Sequence, residues 1–237
     1  MTDGDPSAPR PHDQESRQHK RVGILISGSG SNMAALIAAS RSPDYPADIV
    51  IVISNRTDAG GLVKAASFGI ETVVVDHKLY AGREAFDRAV DAQLRAAGVD
   101  LVCMAGFMRI VSPWFAETWA DRMLNIHPAL LPSYTGLHTH ARARRDGVKI
   151  HGCTVHFVRT ELDVGPIVAQ AAVAVRDDDT EASLAARVLA AEHRIYPAAL
   201  AMVASGRARL IRREDGSEVV HTSGVETTPA PLMVPTP

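Results

Sequence analysis

An open, mostly parallel α/β sheet with a more antiparallel end is the fold this sequence predicts. Three observations predict it. Apolar runs of strand length alternate with helix-like segments, the signature of β-α-β units. The first apolar run ends in a glycine-rich turn, Ser27-Gly28-Ser29-Gly30-Ser31-Asn32, that leads straight into a helix. Two later apolar runs, 152–158 and 167–175, are joined by the short acidic loop RTELDVGP, which reads as a hairpin.

In chain order, the first twenty residues are rich in Pro, Asp, Gln, Ser and His with little to bury, so a disordered extension is expected over 1–20. Buried strands follow at 22–27, 48–54, 71–75, 99–105 and 123–127, each short and rich in Val, Ile or Leu. Helices fit 31–39, 60–68, 83–97, 113–119 and 138–146, several opening with Ser, Gly or Pro at or beside the first turn. After the hairpin, a last helix spans 180–204. Pro197 removes a helical hydrogen bond and predicts an interruption or kink there. Beyond Ile211 the composition thins, so 213–237 reads as a largely irregular tail with one short strand around 218–221.

Bulk properties narrow the function. With 237 residues and 46% hydrophobic content the chain can bury a full core. A formal charge of -2 gives no general reason to expect nucleic acid or an anionic membrane as partner. The sequence has no apolar stretch of bilayer length and no apolar core of a secretory signal, which points to the cytoplasm. Cys103 and Cys153 have neither disulfide-framework nor metal-ligand spacing and read as buried thiols.

The glycine turn before the first helix can meet an anion with backbone N–H groups and the positive end of the helix dipole. It resembles the dinucleotide fingerprint, but Met33 stands in place of the third glycine and Ser54-Asn55 replaces the acid that would hold a ribose. A single phosphate fits better than a dinucleotide, and a plain tight turn fits too. Asn125-Ile126-His127-Pro128 lies at the end of the fifth strand, where ligands of open sheets bind. Residues two apart in a strand share a side, so an amide and an imidazole come together, the pair that acyl or formyl transfer uses to stabilise an oxyanion. A strand-end histidine also serves as an ordinary hydrogen-bonding residue. Asp163, returned to this edge by the hairpin loop, would favour the imidazolium, although periodicity alone does not bring it to His127. His138, His140, His151 and His156 invite a zinc reading, but no third ligand at metal spacing accompanies them, so no metal is expected. In Gly106-Phe107-Met108-Arg109-Ile110-Val111 the backbone suits a flat aromatic ligand, and core packing of Phe107 and Met108 suits it equally. The bond preceding Pro132 is a candidate for cis geometry.

The blocks GSGSN, MAGFMRIVSP, LNIHPALLPSYTGLHTH, HGCTVHFVRTELDVGPIVAQ and AEHRIYPAAL, in this order and spacing, resemble the folate-dependent formyltransferases, and among them the phosphoribosylglycinamide formyltransferases of purine synthesis. The resemblance covers about 21–212. It implies a formyltransferase domain with a Rossmann-like, mostly parallel twisted sheet, helices on both faces and an antiparallel hairpin at one end. It implies 10-formyltetrahydrofolate as co-substrate and glycinamide ribonucleotide as acceptor. Asn125, His127 and Asp163 would be catalytic. Gly30, Ser31 and Asn32 would receive the nucleotide phosphate and Glu192 the ribose hydroxyls. Arg83, Met108, Arg109, Ile110, Val111, Asn125 and the loop Arg159, Thr160, Glu161, Leu162 and Asp163 would hold the folate. The partners implied are these small molecules, with room for a homodimer. The sequence departs from the family at Leu189, where some members carry a polar phosphate-contacting side chain, and in its two terminal extensions. A formyltetrahydrofolate hydrolase would use the same Asn, His and Asp; the Gly136 to His140 run and the lack of an N-terminal regulatory domain favour the transferase. A methionyl-tRNA formyltransferase would need a long C-terminal domain and a basic face for tRNA. From another class, a non-catalytic nucleotide-phosphate module would use Gly28 to Asn32 alone.

Overall fold

A computed structural model of the chain describes residues 19–224 and residue 234. Most of the expected N-terminal extension and the end of the Pro-rich tail lie outside the described residues. The strands are β1 (Lys20–Ile26), β2 (Ala47–Ser54), β3 (Glu71–Val74), β4 (Leu101–Met104), β5 (Met123–His127), β6 (Ile150–Phe157), β7 (Ile167–Ala174), β8 (Ala208–Arg212) and β9 (Glu218–Thr222). The helices are α1 (Ser31–Ser40), α2 (Gly60–Ser67), α3 (Arg83–Ala96), α4 (Pro113–Thr118), α5 (Thr139–Arg145) and α6 (Glu181–Ala204). One seven-stranded sheet runs in the order β3-β2-β1-β4-β5-β6-β7, and β8 pairs with β9 in a separate hairpin.

β1 to β5 are parallel, while β5–β6 and β6–β7 are antiparallel, so the expected mixed sheet is the one found. Because β1 neighbours both β2 and β4, the chain turns in opposite directions after β1 and after β4. A crevice opens between them at the carboxyl edge, the usual ligand site of such sheets. Side chains alternate between two cores. Ile24, Ile26, Val52, Cys103 and Leu124 pack under α1 and α6, and Leu25, Ile51, Ile53, Val102 and Met104 pack with α3 and α4. On α3 the residues Phe86, Asp87, Val90, Asp91 and Leu94 are buried, a helical stripe facing the sheet.

α6 runs through Pro197 without the expected interruption. Proline in a helix costs about 3 kcal/mol. Burial of Leu184, Val188, Tyr196, Ala199 and Leu200 against the sheet offsets this, at about 1.5–3 kcal/mol per large apolar side chain. A capping box at Thr180 and Ser183 fixes the start of the helix. Midway along it, the Tyr196 hydroxyl lies 3.1 Å from the carbonyl oxygens of both Met104 and Leu124, tying α6 to the two strands that carry the site. The strand expected near 218–221 is β9; its partner β8 and a 3-10 turn at His77–Leu79 were not apparent from the sequence. ARLIR shows no apolar alternation because only Ala208 is buried.

Two stability predictions follow from this packing. Tyr196→Phe removes a buried donor and should lower unfolding free energy by about 1–3 kcal/mol, read from urea denaturation. His151 is buried on β6 with its Nε2 3.2 Å from Nδ1 of His140, and burial first, then His140, push its imidazole down to about 4. Since the unfolded group titrates near 6.5, the unfolded chain gains a proton that the folded chain refuses between these values. Stability from this group is full above about pH 6.5 and falls as the pH drops toward about 4. The denaturation midpoint of His151→Gln should depend less on pH over that window than that of the wild type.

Candidate active site

β5 stands where the sheet changes sense, parallel to β4 on one side and antiparallel to β6 on the other. The ladder sets Asn125 opposite His156 and His127 opposite Thr154. Beyond β6 the chain doubles back so tightly that a Cβ on Gly165 would lie 1.7 Å from the Phe157 carbonyl oxygen, which makes glycine necessary there. This return carries Asp163 to the end of β5. Asp163 adopts a left-handed conformation at φ 57°.

The three catalytic candidates converge. Asp163 Oδ2 lies 3.4 Å from His127 Nδ1, and its Oδ1 lies 3.9 Å from His156 Nε2. His156 Nε2 is 3.3 Å from Asn125 Nδ2. His127, His156 and Asp163 are all buried. His127 Nε2 faces the Tyr134 carbonyl oxygen at 2.8 Å, so that nitrogen carries a proton and donates. Nδ1 faces the Asp163 carboxylate at ion-pair distance without a hydrogen bond to it, which leaves its N–H for a ligand when the ring is protonated. The Asp163 carboxylate accepts from Gly136 N at 2.8 Å.

His156 joins the site although sequence reasoning considered it only as a zinc candidate. Its Nδ1 donates to the Phe157 carbonyl at 3.0 Å, and burial pushes the imidazole down, so it is held neutral with Nε2 as an acceptor. One N–H of the Asn125 amide meets that acceptor, and the amide has a second N–H for a ligand. The missing signal was register: only the antiparallel pairing of β5 with β6 puts position 156 beside position 125.

One cleft opens beside this cluster, lined by Met104, Val158 and His156 together with Arg109, Ile110, Val111, Asn125, Arg159, Thr160, Glu161, Leu162 and Asp163. It gathers the folate candidates except Arg83 and Met108. Met108 is exposed, and its N–H is held by Ser27 Oγ at 2.8 Å. Arg83 is exposed at the start of α3. Arg159 reaches the cleft, but its guanidinium is paired with Asp121 and Glu218, both at 2.7 Å.

The glycine turn caps α1. Gly30 lies at φ 67°, and a Cβ there would approach Gly61 Cα to 2.9 Å. This leaves the first-turn N–H groups of α1, which have no helical acceptor, at the carboxyl edge of β1. Asn32 donates through Nδ2 to Glu192 Oε2 at 2.7 Å, uniting the phosphate and ribose candidates from α1 and α6. Glu192 is buried, and burial raises its carboxyl pKa against the opposing effect of Asn32. Leu189, three residues earlier on α6, is part-exposed on the same helical face. The Leu131–Pro132 bond is cis. Among the described residues, no group of three or more His, Cys, Asp or Glu is arranged to hold a metal ion, and no helix is long and apolar enough to cross a membrane.

Comparison with known proteins adds independent support. The formyl transferase family profile matches residues 20–200. The chain is 50% identical over 199 residues to the human trifunctional purine biosynthetic protein adenosine-3, a match covering 84% of this chain and 20% of that protein. It thus spans about a fifth of the trifunctional relatives it matches. It is 44% identical over 187 residues to the phosphoribosylglycinamide formyltransferase of Escherichia coli K12, covering 81% of this chain and 88% of that one. The crystal structure of glycinamide ribonucleotide transformylase 1 from Symbiobacterium toebii superposes with a TM-score of 0.83 at 43% identity, covering 91% of this chain and 99% of that one. With a profile match over most of its length and a shared fold at this identity, the chain belongs to the formyl transferase family.

Proposed function

We propose that this chain transfers the formyl group of 10-formyltetrahydrofolate to the amine of glycinamide ribonucleotide in purine biosynthesis, as a cytoplasmic enzyme whose transferase domain spans 21–212. The observation that carries the reading is the continuous polar chain Asn125, His156, Asp163 and His127, placed beside a cleft at the carboxyl edge of the sheet. The names of the Escherichia coli and Symbiobacterium toebii relatives support the same substrate.

In this reading the ribonucleotide phosphate meets the N-terminus of α1 at Gly30, Ser31 and Asn32, and Glu192 holds the ribose. The cleft at Arg109, Ile110, Val111 and 159–163 takes the folate. The amine attacks the formyl carbon, forming a C–N bond while the carbonyl pair moves onto oxygen. Asn125 donates its second amide N–H to that oxyanion, and His127 donates from Nδ1, its Nε2 being already committed to Tyr134. Asp163 stabilises the imidazolium and helps organise proton transfer from the attacking amine to the folate nitrogen, which departs as the carbonyl re-forms and its C–N bond to the formyl carbon breaks. No covalent enzyme intermediate and no metal enter these steps. The catalytic gain is electrostatic, with donors fixed before charge develops.

Formyl transfer followed by absorbance, with and without the ribonucleotide, tests the reading. Turnover should require the ribonucleotide. Formate release without it would replace the reading with the hydrolase, and no turnover at all would leave a phosphate-binding module. His127→Ala should lower kcat by about 10²–10³-fold with substrate dissociation constants little changed, because its hydrogen bond strengthens mainly in the transition state. Glu192→Gln should instead act on ground-state binding, raising the ribonucleotide KM by roughly tenfold at nearly constant kcat.

A further inference from the structure

We infer that Arg142, on α5, is a positioning residue for the catalytic pair, acting through the loop that its guanidinium clamps. The inference rests on the proposed transferase reading for its kinetic consequence, but not for the clamp itself.

The loop 132–138 supplies two of the contacts that fix the site. The carbonyl of Tyr134 accepts from His127 Nε2 at 2.8 Å, and the N–H of Gly136 donates to Asp163 Oδ2 at 2.8 Å. If Tyr134 moved, the imidazole would lose what orients it; if Gly136 moved, the carboxylate would lose a buried donor. Yet the segment is exposed at Pro132, Ser133, Thr135, Leu137 and His138, so packing does little to hold it. Its backbone is also unfavourable. Tyr134, Gly136 and His138 all lie in the left-handed region, at φ 58°, 75° and 57°, and two of them carry a Cβ. Such conformations persist only where surrounding contacts over-determine them.

Arg142 supplies those contacts. Its Nη1 donates to the Thr135 carbonyl at 2.6 Å and approaches the Leu137 carbonyl at 3.5 Å, gripping the residues on either side of Gly136. Its guanidinium also lies 5.4 Å from the centroid of the Tyr134 ring, close enough for a cation–π contact. That ring packs edge-on against His151 at 5.8 Å. One planar cation thus reaches Tyr134, Thr135 and Leu137 at once, which a lysine ammonium cannot reproduce. Arg142 touches neither His127 nor Asp163. Its effect is on where they are held, and a misplacement of about 1 Å at a catalytic group costs on the order of a hundredfold in rate.

The test uses the full chain as wild type, Arg142→Ala and Arg142→Lys, with two independent readouts. The first is amide hydrogen exchange at Thr135, Gly136 and Leu137. The second is steady-state formyl transfer to glycinamide ribonucleotide, with and without millimolar guanidinium in the assay. Exchange should accelerate in Arg142→Ala while the thermal midpoint stays close to wild type. Its kcat should fall between about tenfold and a hundredfold, with smaller changes in KM, and guanidinium should restore part of the loss. Arg142→Lys should fall between the two. Unchanged loop exchange would overturn the clamp whatever the kinetics. A kcat that falls only in step with a lower thermal midpoint, without guanidinium rescue, would reduce Arg142 to a stabilising residue and overturn its positioning role. If the wild type fails to turn over while Arg142→Ala loosens the loop, the transferase reading fails and the clamp stands.

Discussion

The antiparallel pairing of β5 with β6 is the constraint on which the rest of the site depends. Residues 128–149, which carry α5, lead from β5 back to β6, and beyond β6 the tight bend at Gly165 brings Asp163 to His127 at the carboxyl end of β5. The same register places His156 against Asn125. A slip of one residue would send each of these side chains to the opposite face of the sheet and dissolve the cluster. The apolar positions of β6 and β7 that fill the core beneath α6 therefore also set the geometry of the proposed catalytic cluster.

Burying a carboxylate, two imidazoles and an amide in one place is costly unless each polar atom finds a partner. Here hydrogen bonds supply the partners. Phe157 accepts from His156, which accepts from Asn125; Tyr134 accepts from His127; Gly136 donates to Asp163. Several of these partners are backbone groups whose positions the fold has already fixed. The exception is the Tyr134 to Gly136 segment, which the sheet does not hold. That contrast is why a surface side chain such as Arg142 acquires leverage over a buried pair.

Much of this fold was legible in the sequence because its signals are local. Short Val- and Ile-rich runs, the glycine turn at 28–30 and the acidic hairpin loop each announce their element without knowledge of the others. Asn125 and His127 were legible by strand periodicity, and Asp163 as a loop acid that the hairpin returns to the same edge. His156 was not, since its role depends on register, and register depends on which strands become neighbours. The pairing of Arg159 with Asp121 and Glu218 was hidden for the same reason: its partners lie 38 and 59 residues away. At Pro197 an interruption or kink was expected, and α6 continues through it because the local penalty is outweighed by burial along a whole helical face, a quantity that becomes visible only once the sheet is assembled.

The two proposed substrate sites follow from topology in different ways. The anion site is built from backbone at the start of α1, packed against α2 through Gly30 and Gly61, and is thus rigid as soon as the sheet forms. The cleft beside Asn125 is bordered by two loops, 109–111 and 159–163, and it faces the loop clamped by Arg142 only through Asp163. A phosphate can dock on the first without disturbing the second. The proposed catalytic cluster is completed where the loops meet, at Asp163, which touches both His127 and Gly136. In the proposed reaction, the nucleotide would meet a turn fixed by backbone packing, and the formyl group would meet side chains held by loops.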